Sequence, residues 1–306
     1  MTNTKIKKQS KIKLTNRQRH NVYGYLFMAP FLILFFMFTF IPVMTAFGLS
    51  FTDYNMIETP KFIGLTNYKL LIMDDAVFIT ALKNTLVFAF ISGPISFLGS
   101  FVMAVLINNL KKFRNLFSLL FYAPSLVSGV SISVVWMYFF SNDRYGFINN
   151  ILMNLGLISS PINWTFDVSL VLWVVIIVSV WTSMGTNFLT FLSGLQNVPA
   201  DIYEAGKIDG IKNGFQELIY LTLPMIKPQL LFAAINMTTA AFGVFDIAVS
   251  IAGMPSQDYA AHTIVAHLYD YGFIRFEMGY ASAVAVILFI ISFALGRVFI
   301  RIFSDK

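Results

Sequence analysis

The chain has 306 residues, of which 57% are apolar and 12% charged, against roughly 45–50% and about 25% in an ordinary soluble domain. Too few polar groups exist to cover a water-facing surface, so a bulk-water protein is excluded and lipid is implied as the solvent. Cysteine is absent, which removes disulfides, thiolate metal sites and catalytic thiols, and the net charge of +6 is scattered at the ends of apolar runs, not gathered into the stripe a nucleic-acid partner requires.

In chain order, a basic tail over 1–22 carries Lys5, Lys7, Lys8, Lys11, Lys13, Arg17 and Arg19 ahead of the first apolar run. That run exceeds the roughly 7–15 apolar residues of a cleavable signal, so it reads as a retained helix. Six segments are apolar enough to cross a bilayer: Tyr23–Phe51, Asn84–Asn108, Leu116–Phe140, Val168–Leu192, Gln229–Ala252 and Tyr280–Ile302. At about 1.5 Å per residue each covers a hydrocarbon core about 30 Å thick. The expected fold class is therefore an all-α membrane protein with six transmembrane helices.

With the N-terminus inside, sixteen of the 21 Lys and Arg residues fall on the inner side, and Lys61, Lys69, Lys83, Arg144 and Arg275 fall outside. This asymmetry predicts both termini in the cytoplasm. The outer loops are then 52–82, 141–167 and 253–278, carrying Asp53, Glu58, Asp74, Asp75, Asp143, Asp167, Asp258, Asp270 and Glu277. Tyr54, Tyr138, Trp164 and Tyr280 on one side, with Tyr23 and Tyr25 on the other, fit interfacial aromatic belts. His20 lies in the tail. His262 and His267 read as solvated loop residues whose i, i+5 spacing is poor for a shared metal.

Span four carries Ser179, Thr182, Ser183, Thr186, Asn187 and Thr190 on one helical face, and span five carries Asn236, Thr239, Gly243, Asp246 and Ser250. Such stripes suit a path for a neutral, hydroxyl-rich solute, or equally close helix packing. Asn187, Thr186, Asn236, Thr239 and Asp246 are the candidates for the path. Asp246 is the only acidic residue within a span, and an intramembrane carboxylate is either functional or turned to external water.

Between spans four and five, the loop 196–228 reads as two short helices around a turn. Pro199 suits a first helical position, Asp201 the first turn, and Gly210 the helix end. Phe215, Leu218, Ile219 and Thr222 predict a second amphipathic helix that stops before Pro224. Such a knob could plug a groove on a soluble partner or pack against the bundle's own ends. No Gly-x-x-x-x-Gly-Lys-Ser/Thr loop is present, so the chain cannot hydrolyse ATP alone. Nor do metal or nucleophile motifs mark an enzyme. An ion-coupled secondary transporter or a channel subunit is the alternative, although only one membrane carboxylate is on offer.

Glu204-Ala205-Gly206, then Gly210, then Leu221-Thr222-Leu223-Pro224 resembles the signature of the permease subunits of carbohydrate-type ABC importers, the maltose/multiple-sugar group. Gly206 stands where that group has a second alanine, and the segment from Gly210 to Leu-Pro is one residue longer. Phe62-Ile63-Gly64-Leu65-Thr66-Asn67-Tyr68, Asn84-Thr85, Trp136, Gly146, Asn149, Gly194-Leu195-Gln196, Phe245-Asp246 through Gly253-Met254-Pro255 and Gly279-Tyr280-Ala281-Ser282-Ala283 are similar to further phrases of the group in order. The resemblance implies a type I importer permease fold in a six-span domain 23–306, with the core transport region over about 80–303. It also implies a coupling helix in the loop, with Glu204, Ala205, Gly206, Asp209, Gly210, Leu223 and Pro224 lodged against a cytoplasmic ATPase. Implied partners are a second homologous permease forming a heterodimer, two ATP-binding ATPase subunits and an extracytoplasmic sugar-binding protein, in a bacterial-type inner membrane. No cofactor is implied.

Overall fold

The computed structural model describes residues 16–110 and 112–303, apart from the side chains of residues 16–20 and 22. Lys5 to Lys13, Lys111 and Lys306 lie outside the described residues, as do the side chains of Arg17, Arg19 and His20. The chain divides into two compact units, Met1–Gly48 and Leu49–Lys306. In the first, α1 (Asn16–Phe35) passes through a π-helical turn, Phe36–Phe40, into α2 (Ile41–Leu49). Its apolar side chains are exposed on every face, which a helix tolerates only in lipid or against a further chain.

The second unit opens with a two-residue hairpin, β1 (Thr52–Asp53) antiparallel to β2 (Lys61–Phe62). The family-like phrase that follows is architectural: buried Asn67 donates from Nδ2 to the Ser50 and Thr52 carbonyls, both at 3.0 Å. Helix α3 (Ala76–Asn108) starts eight residues before the expected Asn84, because Asp75 caps it by accepting the Phe78 N–H at 2.7 Å. Its 33 residues span about 50 Å.

The third span is not one straight helix. α4 (Arg114–Tyr122) and α5 (Gly129–Phe139) form a pair bent by 99°. Pro124 and Gly129 explain the break, because one lacks an N–H and the other a Cβ, and Ser128 restarts the helix by capping Ser131 N–H. Among the described residues, counting that pair as one span gives six helical segments long and apolar enough to cross a membrane, and five without it. After α6 (Phe147–Asn154) comes α7 (Val171–Gln196), which packs closely on α3. Small residues permit the approach: Ser96 Oγ and Ser183 Oγ share a hydrogen bond of 2.7 Å, and Ser100 Oγ donates to Met184 O at 2.8 Å.

The fifth span is also broken, into α10 (Lys227–Phe242) and α11 (Asp246–Ala252), after α8 and α9 of the loop described below. α12 (Ile264–Tyr269) precedes the last span, α13 (Met278–Phe303). Gly279 is obligatory there, since a Cβ would collide with the Thr52 carbonyl of the hairpin. Buried Phe88, Val175, Val178 and Phe242 form one core layer, and Phe188, Phe191 and Ile226 another.

Candidate translocation cavity and coupling loop

A cavity of about 270 Å³ lies between α3, α7 and the two helix breaks. Ser92 and Ser96 enter from α3, and Ser179, Thr182, Ser183 and Asn187 from α7. Gly129, the first residue of α5, faces Asp246, the first of α11: a Cβ on Gly129 would stand 3.3 Å from Asp246 Cβ. The interruption of the helix at Gly243–Phe245 makes exposed Asp246 the first residue of α11, lining the cavity where the start of a helix favours a carboxylate. Ser179 Oγ and Asn187 Oδ1 are buried there with no hydrogen-bond partner among the described residues. An unsatisfied buried acceptor costs about 1–3 kcal/mol, a cost that an incoming donor would remove. Among the described residues no Lys, Arg or His lines the cavity.

Of the five path candidates, the structure brings Asn187 and Asp246 together. Thr186, Asn236 and Thr239 do not line this cavity and are exposed. Thr239 Oγ1 donates to Ile235 O at 3.0 Å. The serine row of α3 escaped the sequence reading, although Ser92, Ser96 and Ser100 recur every four residues.

The loop forms the helix-turn-helix that its residues suggest. α8 (Ala200–Ile208) is capped by Pro199, which precedes the helix and is not its first residue. Gly210 adopts φ +93°, and Ile211 N donates to Gly206 O at 2.9 Å, the left-handed closure only glycine makes without strain. Gly206 is buried beneath the second helix: a Cβ there would lie 2.7 Å from Leu221 Cδ1 and 3.1 Å from Ile211 Cδ1. The departure from alanine at this position therefore has a physical reason. Asn213 then caps α9 (Gly214–Glu217), accepting Gln216 N–H at 2.9 Å, while Gln216 Oε1 accepts Lys212 N–H at 2.9 Å.

The second helix does not stop before Pro224. It continues through a π-helical stretch, Leu218–Thr222, and a turn at Leu223–Met225. The wider turn accommodates the N–H that Pro224 lacks. Tyr203 OH and Thr222 Oγ1, 3.1 Å apart, tie the two helices. On this frame Glu204, Ala205, Asp209 and Gly210 are exposed, Leu223 is half-buried and Pro224 exposed. Ile208 and Phe215 stand exposed beside them.

At the other end of α3 the structure corrects two expectations. His262 and His267 are not solvated: they are 3% and 1% exposed. Tyr280 is buried and bonded, not a belt residue, and its hydroxyl donates to Asp75 Oδ2 at 2.6 Å. Tyr271 OH donates to the same oxygen at 3.3 Å, and His267 Nε2 approaches it to 3.2 Å. Burial works to raise the Asp75 pKa, but the bonds from Tyr280 and from Phe78 N–H, with the nearby His267, outweigh it and hold the carboxyl below its ordinary value. Burial pushes His262 down to about 4, with His267 beside it adding repulsion, and it lowers His267 as well.

Residues 95–306 match the family described as "Binding-protein-dependent transport system inner membrane component". The chain is 35% identical over 278 residues to the probable ABC transporter permease protein YesP of Bacillus subtilis (strain 168), covering 90% of this chain and 88% of that one. It is 32% identical over 279 residues to the arabinooligosaccharides transport system permease protein AraP of the same organism, covering 91% and 87%. Its fold matches a chain in the crystal structure of a bacterial alginate ABC transporter in complex with an alginate pentasaccharide-bound periplasmic protein, with TM-score 0.77, 20% identity and coverage of 94% and 97%. The apolar spans, the two broken helices and these likenesses agree: the chain belongs to the inner-membrane components of binding-protein-dependent transport systems, as a multi-pass permease of the carbohydrate-type ABC importer group.

Proposed function

We propose that this permease forms half of the translocation pathway for a neutral sugar and takes its driving force from a cytoplasmic ATPase through the 199–224 loop. The observation that carries this reading is the loop itself. Two short helices are locked together by Gly206, Gly210 and the Tyr203–Thr222 contact, yet Glu204, Asp209, Ile208 and Phe215 stand exposed among the described residues. A rigid knob with an apolar and acidic face suits a groove on a partner. The partners proposed are two ATPase subunits, a second homologous permease completing a heterodimer, and an extracytoplasmic sugar-binding protein, with both termini of this chain in the cytoplasm.

The cavity supports the cargo. Its volume falls just short of the roughly 300–1,000 Å³ of closed ligand sites, as fits half a chamber. Exposed Thr186, Asn236 and Thr239 would supply polar groups toward the second subunit. Serine and asparagine acceptors without a cation suit hydroxyl donors and disfavour anionic solutes. The test is Glu204→Lys in vesicles containing the full importer. Losing a buried interfacial charge pair costs about 2–5 kcal/mol, so binding-protein-stimulated ATP hydrolysis should fall at least tenfold. Retained stimulation, or uptake that collapses with a proton ionophore at constant ATP, would refute the assignment.

A further inference from the structure

We propose that Asp75 is a positioning residue that fastens the segment 253–278 to the heads of two spans, so that a partner docking on this segment is felt at the cavity. The inference rests on the reading above, in which an extracytoplasmic binding protein docks at this end of the chain.

A single carboxylate holds three elements. Asp75 caps α3 through Phe78 N–H, receives Tyr280 OH from α13, and meets Tyr271 OH and His267 Nε2 from the segment. The attachment continues along α3: Asn84 Nδ2 donates to the Tyr259 and His262 carbonyls at 2.8 and 3.1 Å, and Thr85 Oγ1 accepts Ile264 N–H at 2.9 Å. Buried Thr263 then donates to Val244 O at 3.0 Å, and Val244 lies in the α10–α11 break that lines the cavity. The route from Asp75 to the residues beside Asp246 therefore consists of hydrogen bonds and one short helix.

The same segment offers a handle. Tyr269, Phe273, Ile274 and Phe276 are exposed in one short stretch, with Arg275 stacked 4.3 Å over the Tyr271 ring and bonded to Asp270 at 2.6 Å. Tyr271 thus carries the exposed edge on one side and Asp75 on the other. An element gripped this tightly moves as a unit, because packed interiors transmit displacement instead of absorbing it.

The test uses the complete importer in vesicles of phosphatidylethanolamine and phosphatidylglycerol, with its binding protein loaded from a neutral-oligosaccharide mixture. In Asp75→Asn, basal ATP hydrolysis should stay within twofold of wild type and binding-protein affinity within threefold, while stimulated hydrolysis falls at least tenfold. Thr263→Val, at the far end of the route, should show the same split. A pH profile separates positioning from plain stability. His267 faces Asp75, Asp270, Arg275, Tyr271, Tyr280 and His262, so wild-type stimulation should decline as acid charges it, and His267→Gln should flatten that decline. Equal loss of basal and stimulated rates in both variants, or an unchanged ratio, overturns the proposal. Wild-type complex that the binding protein fails to stimulate overturns the docking reading along with it.

Discussion

Gly206→Ala tests the rigidity of the knob with one methyl group. The new Cβ would stand 2.7 Å from Leu221 Cδ1 and 3.1 Å from Ile211 Cδ1, closer than carbon atoms pack. Overpacking costs about 1–3 kcal/mol, and alanine's better helix propensity returns about 1 kcal/mol. The net destabilisation is about 1 kcal/mol, which raises the population of the opened loop about fivefold. The reporter is the Ile211 amide, whose hydrogen bond to Gly206 O closes the first helix at 2.9 Å. Its hydrogen exchange, followed in detergent-solubilised protein, should accelerate about fivefold. Shortening the obstructing side chain in Gly206→Ala/Leu221→Val should return it toward the wild-type rate. Unchanged or slower exchange in Gly206→Ala would refute the reasoning, since Leu221 would then have moved aside without cost.

Asn187→Ala should leave thermal stability within about 0.5 kcal/mol, because removing the unpartnered Oδ1 offsets the loss of the side-chain volume and of the long 3.4 Å bond from Nδ2 to Ser183 O. Sugar uptake by the reconstituted complex should nevertheless fall at least fivefold; a drop in unfolding midpoint with normal uptake would assign the residue to packing. Acid should destabilise the chain through His262. Its folded value of about 4 lies below the ordinary 6.5, so the unfolded state binds the proton first. The stability this neutral histidine contributes is complete above pH 6.5 and is lost as pH falls toward 4, by about 1.4 kcal/mol per unit. Unfolding free energies should be flat from pH 7.5 to 6.5 and show that slope below it, and His262→Phe should reduce it.

The spans and the loop were legible because each rests on local signals: long apolar runs, a proline, and glycines at a turn. The bend in span three and the interruption in span five were hidden because apolar composition continues across Pro124–Gly129 and Gly243–Phe245, so hydropathy reads straight through both. Asn187 and Asp246 stood out in the sequence because a polar group in lipid needs a reason. That they line one cavity was not legible, since it depends on how the unbroken α7 packs beside the interrupted fifth span. His262 and His267 were misread because burial comes from partners far away in sequence: Asp75 and Asn84 lie some 180 residues earlier. Family-like Asn67 and Asn149 tie loops through their amides, and Gly279 makes room for the hairpin carbonyl.

Asn149 has a wider consequence. Its fully buried amide makes five bonds: Nδ2 donates to the Ser141, Asp143 and Ile162 carbonyls, and Oδ1 accepts from Ile162 N and Trp164 Nε1. Four of the five run to main chain, and none involves an ion or a thiol. The 141–167 lobe should therefore keep its shape in brine or dilute medium, and under reductant or oxidant alike, while its outward side chains remain free to drift with whatever surface they meet.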